Sequence, residues 1–132
     1  MSIKISKAFR LKVQQRAASK CEYCRIPDLG LAFPFHVDHI QAVKHGGKTT
    51  LENLAYCCPD CNYYKGTDFA TFLGNKVVLF FNPRTERWEN HFEMLDGIIL
   101  PLTETGHATN QIFQFNLPAR VTYRIELEAV GY

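Results

Sequence analysis

No stretch of this 132-residue sequence approaches the ~20 consecutive apolar residues that cross a bilayer, so a helical membrane span is excluded. The opening Met1-Ser2-Ile3-Lys4-Ile5-Ser6-Lys7 lacks the apolar run of a secretory signal, and the expectation is a cytoplasmic protein with no membrane partner. Internal repeats and low-complexity tracts are absent, and with 46% hydrophobic and 21% charged residues the chain is expected to be folded, not disordered. Acids are missing from the first twenty residues, which hold Lys4, Lys7, Arg10, Lys12, Arg16 and Lys20. A block of one sign suits a polyanion, with a solvated helix face as the plainer alternative. The odd count of five cysteines and the missing signal speak against a disulfide framework.

What is present is one domain's worth of chain, with a lopsided charge. Residues 1–66 carry ten Lys/Arg against five Asp/Glu, a balance of +5, and residues 67–132 carry five against eight, a balance of −3. The fold class expected is α+β, with a domain over 1–74 and an extension over 75–132. Ser6 to Ser19 is expected to form a basic amphipathic helix, with Ala8, Leu11 and Ala18 among its apolar positions. Phe35 to Ile40 reads as a short strand, and Gly46-Gly47 as a turn. Leu51 to Cys57 is the returning strand, or a loop and a short strand. Asp60 opens a helix running past Gly66 towards Leu73. Beyond the break at Gly74-Asn75, Lys76 to Phe81 reads as a buried strand. Trp88, His91 and Phe92 share one helical face, Asp96-Gly97 is a turn, and Thr103 caps a helix through Phe115. The last segment is ambiguous: Val121, Tyr123, Ile125 and Leu127 alternate as a strand would, whereas Pro118-Ala119 suits a helix start.

Two C-x-x-C pairs, Cys21/Cys24 and Cys58/Cys61, are separated by 33 residues. Each pair can present two thiolates to one ion, and together they fit a closed tetrahedral structural zinc site. Cys57, adjacent to a ligand, is then a packed thiol or a competitor of Cys58 for the ion. Between the pairs lies His36-Val37-Asp38-His39-Ile40. Phosphodiester hydrolysis needs an activated water and a cation to stabilise charge on phosphate and leaving oxygen. Asp38 offers a hard oxygen to such a cation, and His39, with an ordinary pKa of about 6.5, suits a general base. Neighbouring strand residues point to opposite faces, so both reach one site only if the strand ends or bends there. His36 is a lesser candidate as a third ligand or substrate contact; His45, His91 and His107 carry no comparable signal. Lys44, Lys48 and Lys65 are the expected DNA-binding residues, giving salt-dependent, sequence-independent affinity for phosphate.

Cys21-x-x-Cys24, Val37-Asp38-His39-Ile40, Gly46-Gly47, Asn53-Leu54, Cys58-x-x-Cys61-Asn62 and Lys65 together resemble the HNH endonucleases, the ββα-metal nucleases, in their zinc-stabilised four-cysteine form. The resemblance implies a hairpin and a helix gripping one catalytic divalent ion. It implies that His39 is the general base, that Asp38 and Asn62 hold the ion, and that Asn53 braces the loop carrying the base. Asn stands at 62 where many members have His, and an all-oxygen pair favours Mg²⁺ or Mn²⁺. The expected function is metal-dependent DNA cleavage leaving 5′-phosphate and 3′-hydroxyl ends. The alternative is a non-catalytic zinc module that binds nucleic acid or protein. Residues 76–132 resemble the extension of some bacterial members, expected to complete the core, shape a DNA-binding surface or form a homodimer interface.

Overall fold

A computed structural model describes residues 4–132, so Met1, Ser2 and Ile3, on which part of the signal reading falls, lie outside the described residues. The described chain is α+β and divides into two units, Met1–Phe69 and Ala70–Tyr132. Among the described residues no helix is long and apolar enough to cross a membrane.

In the first unit, helix α1 (Lys7–Arg16) starts where the Ser6 hydroxyl accepts the Phe9 N–H at 3.2 Å. It ends before Ala18 and Ser19, both at positive φ. Ala8 and Leu11, read as part of its apolar face, are exposed; the buried side chain is Val13, with Phe9 half-buried one turn earlier. Strand β1 (His36–His39) pairs antiparallel with β2 (Leu54–Cys57), placing Asp38 opposite Ala55 and His39 opposite Leu54. All four β2 residues are buried.

The connection between the strands carries two 3₁₀ turns, Val43–His45 and Leu51–Asn53. Gly46 takes φ +86, a left-handed turn position that glycine adopts freely. Gly47 is needed for a different reason, since a Cβ there would lie 1.7 Å from the Gln41 carbonyl oxygen. Helix α2 (Pro59–Lys65) begins with proline at its first turn, and the Cys58 sulfur accepts the Cys61 N–H. It stops at Gly66 (φ +54, ψ −128) instead of running towards Leu73, because that backbone conformation leaves the helical region altogether. Ala70–Leu73 is a strand.

The second unit opens with that strand, β3 (Ala70–Leu73), hairpinned to β4 (Lys76–Leu79). Gly74-Asn75 is thus the turn of a hairpin. A short helix α3 (Trp88–His91) leads into β5 (Phe92–Leu95), which pairs with β6 (Ile98–Pro101) across Asp96-Gly97, both at positive φ as a tight hairpin turn requires. Helix α4 (Glu104–Phe113) is capped by Thr103, whose hydroxyl oxygen accepts the Gly106 N–H at 3.0 Å. The ambiguous last segment is helix α5 (Pro118–Ala129), with Pro118 in its first turn. The inward residues include Arg120, Arg124 and Leu127, at helical spacing.

Candidate active site

The cysteine frame is built from two knuckles of similar design. In the first, the Cys24 N–H points to the Cys21 sulfur at 3.4 Å, and Arg25 takes φ +73 to turn the chain back. In the second, the Cys61 N–H points to the Cys58 sulfur at 3.4 Å. All four side chains are buried and their sulfurs lie within 4.8 Å of one another, with Cys24 and Cys58 sulfurs 3.6 Å apart. A zinc tetrahedron with bonds of about 2.3 Å needs sulfurs about 3.8 Å apart, so the donor set fits a structural zinc ion.

Burial opposes ionisation of Cys21, but hydrogen bonds from Cys24, Cys57, Cys58 and Cys61 outweigh it and hold its thiol well below the usual range. Burial and the neighbouring Cys21 sulfur push Cys57 up. Cys57 stands outside the four-sulfur group and lies 3.4 Å from the Cys58 carbonyl, consistent with a packed thiol.

β1 ends at His39, and there the two neighbours Asp38 and His39 line a single cleft of about 400 Å³ with Ala42, Val43, Lys44, Gly66 and Thr67. Asp38 is buried, and its Oδ2 is held by the Lys65 ammonium at 3.1 Å and by the Tyr23 hydroxyl at 3.4 Å. Its Oδ1 has no hydrogen-bond partner among the described residues. Burial raises the Asp38 carboxyl above the usual carboxylate range, with Lys65 and Tyr23 pulling the other way. The Tyr23 phenol is pushed up in turn, by its own burial and then by the Asp38 charge. His39 Nε2 lies 2.9 Å from the Thr49 hydroxyl, and its Nδ1 is unpartnered among the described residues.

Asn53 grips the hairpin connection through backbone groups. Its Oδ1 accepts the Gln41 N–H at 2.9 Å, and its Nδ2 donates to the carbonyls of Gln41 at 2.9 Å and Lys48 at 2.8 Å. The Asn53 carbonyl accepts the Ile40 N–H at 2.8 Å. Asn62 is half-buried on α2, one turn before the cleft-lining Gly66, and its carboxamide makes no hydrogen bond among the described residues. It is not one of the lining residues. His36 is exposed on β1 and does not line the cleft.

The three lysines expected at phosphate separate. Lys44 lines the cleft and is exposed, whereas Lys48, four residues on, is exposed and is not among the lining residues. Lys65, by contrast, is 2% exposed, and its ammonium is committed to Asp38 and to the His39 carbonyl at 3.0 Å. It therefore cannot reach a phosphate from this position. Arg16, also exposed, is engaged with backbone, donating to the carbonyls of Leu51 at 2.8 Å and Leu54 at 2.6 Å, while Lys7, Arg10 and Lys12 are further exposed charges of α1. Tyr23 and Thr49 were not legible as site residues: nothing in their spacing marks them, and their roles exist only once the strand end is formed.

Residues 21–68 match the family model described as HNH endonuclease. The hairpin, the helix following it and the four-sulfur frame therefore define an HNH domain, a ββα-metal fold in its four-cysteine form, spanning about a third of the chain. Domains of this class act on nucleic acids and hold metal. No curated protein and no solved structure matches the chain.

Proposed function

We propose that the HNH domain is a metal-dependent DNA endonuclease with His39 as general base. The observation that carries this reading is the shared cleft: Asp38, a buried carboxylate with one oxygen outside any hydrogen bond among the described residues, and His39, an imidazole with one such nitrogen, both line it. With Nε2–H donated to the Thr49 hydroxyl oxygen, His39 keeps a lone pair on Nδ1 to take a proton from water. Asn53 fixes the connection that follows the base, and Lys65 holds both the Asp38 carboxylate and the His39 carbonyl, setting acid and base in one frame. Lys65 is thus a positioning residue.

Asp38 Oδ1 and the Asn62 carboxamide oxygen are the donors for a divalent ion. An all-oxygen pair suits Mg²⁺ or Mn²⁺. Such an ion supplies positive charge to the phosphate and to the departing 3′ oxygen. Lys44 and Lys48 hold the flanking phosphates. Products would carry 5′-phosphate and 3′-hydroxyl ends, and the cysteine-bound zinc is structural only. The extension is assigned to completing a DNA-binding surface or a homodimer interface.

Nicking of supercoiled plasmid by purified protein with Mg²⁺ or Mn²⁺ tests the assignment against a non-catalytic zinc module. His39→Ala should lower the rate by about 10²- to 10⁴-fold at unchanged zinc content, the usual size of a general-base contribution. Equal nicking by the two proteins, or none by the wild type, would sink it.

A further inference from the structure

Two of the stretches that line the cleft, Val43–Lys44 and Gly66–Thr67, lead directly to residues whose rings meet. His45 follows Lys44, Phe69 lies two residues beyond Thr67, and their ring centroids are 5.1 Å apart at an interplanar angle of 76°. His45 is exposed, and Phe69 is 38% exposed. In an edge-to-face pair, the ring that presents its edge keeps both faces free of its partner, and the other keeps one. A flat aromatic surface therefore remains available beside the cleft. Single exposed hydrophobics are ordinary, but this one is paired, flanks a cleft and neighbours the exposed Lys44.

The approach to this surface is open. Gly66 has φ +54, is exposed, and has open space where its Cβ would stand. The set is an aromatic face, an open glycine position and an exposed cation, with Lys44 and Gly66 lining the same cleft as Asp38 and His39. Nucleic-acid sites that take single strands combine these same elements: aromatic rings under bases and cations along the phosphates. A base can stack on a ring only if it is out of the duplex. In the Tyr63–Tyr64 pair, with centroids 5.2 Å apart, only Tyr63 is exposed, and both rings come from α2 instead of from the two lining stretches.

We infer that the His45–Phe69 pair stacks an unpaired DNA base next to the scissile phosphate, making single-stranded or locally unpaired DNA the preferred substrate. This rests on the endonuclease reading. The stacked base fixes the register of the strand, Lys44 meets the phosphate beside it, and the next phosphodiester lies in front of His39. Phe69 is a specificity residue in this arrangement and takes no part in proton transfer.

The test is binding, read without divalent ion so that no cleavage occurs. Zinc-loaded full-length protein is titrated with fluorescent single-stranded oligonucleotides, intact or with abasic sites, and with the matching duplex. The wild type should bind the intact strand more tightly than either the abasic strand or the duplex, by about five- to a hundredfold, the range of one base stacked on one aromatic ring. Phe69→Ala should lose that margin and bind intact and abasic strands alike, whereas Phe69→Tyr should keep it; zinc content shows that each variant is folded. If the wild type binds intact and abasic strands equally, or if Phe69→Ala keeps the margin, the inference is overturned. Plasmid nicking by the wild type in the same preparation separates the two failures: nicking without a base-dependent margin overturns the stacking alone, and neither nicking nor binding overturns both.

Discussion

In Met1–Phe69 all five cysteines are buried and four of them converge, whereas Ala70–Tyr132 has no cysteine and buries Phe80, Phe81, Trp88, Phe92, Phe113 and Phe115. The aromatic rings of the second unit form a chain of contacts, with centroids 5.4 Å apart for Phe80–Phe113, 5.7 Å for Phe92–Phe115 and 5.5 Å for Phe113–Phe115. Its buried Arg120 and Arg124 donate to backbone carbonyls, including those of Phe113, Gly97 and Phe115, each at 2.6 Å. The first unit thus adds a four-sulfur cluster to a core that includes Val13, Phe35 and Leu54, whereas the second combines packed aromatic rings with arginines that grip backbone. The contrast follows from what each carries. A cleft needs exposed, unengaged polar atoms, and these take the place of the apolar contacts that would otherwise stabilise the fold. A zinc site restores rigidity without filling the cleft.

Removing zinc should produce the largest difference between the units. Structural zinc sites contribute on the order of 10 kcal/mol, so chelation or Cys61→Ala should abolish hydrogen-exchange protection in β1, β2 and α2 while protection in α4 and β6 persists. If both units lose protection together, the contrast fails. Next comes Lys65→Met, which strips the partner from a buried carboxylate and should cost about 3–5 kcal/mol by denaturant titration. A cost near zero would mean Asp38 does not depend on that ammonium. Phe113→Ala, at about 3–5 kcal/mol for a lost core aromatic, should act on the second unit and leave zinc content unchanged.

The smallest pair of effects is the most discriminating. Asn53 and Asn116 use one device in two places: Asn116 accepts the Ile99 N–H and donates to the Ile99 carbonyl, both at 2.9 Å, as Asn53 does with Gln41. Replacing either with alanine leaves backbone groups unsatisfied, at about 1–3 kcal/mol. The two costs should be similar, but only Asn53→Ala should reduce nicking, because only Asn53 braces the connection next to the base. Equal nicking by both variants would remove that role from Asn53.

The parts of this molecule legible in its sequence are those whose meaning is local. Two C-x-x-C pairs and an Asp-His dipeptide carry their chemistry in their spacing, and Thr103 and the Asp96-Gly97 turn signal themselves within four residues. What was hidden depends on tertiary burial. Lys65 reads as one more surface cation until the strand end places a carboxylate beside it. The sequence of α5 is ambiguous between strand and helix because its inward face carries Arg120 and Arg124, whose charges mask the helical period that Leu127 completes. α1 misleads in the opposite sense: Leu11, 54% exposed, was counted towards the apolar face that Val13 supplies. Gly66 was read as an interruption, but its backbone geometry is a full stop.

The proposal that Asp38 and Asn62 hold one divalent ion can be tested without relying on turnover. Mn²⁺ titrated into zinc-loaded His39→Ala protein broadens NMR signals of nearby nuclei, and the mutation keeps the ion from being confounded with cleavage or histidine ligation. The expected result is broadening first at Asp38, Asn62 and Gly66, with Asp38→Asn weakening it. Broadening that spares Asn62, or that gathers at His36 instead, would contradict the assignment.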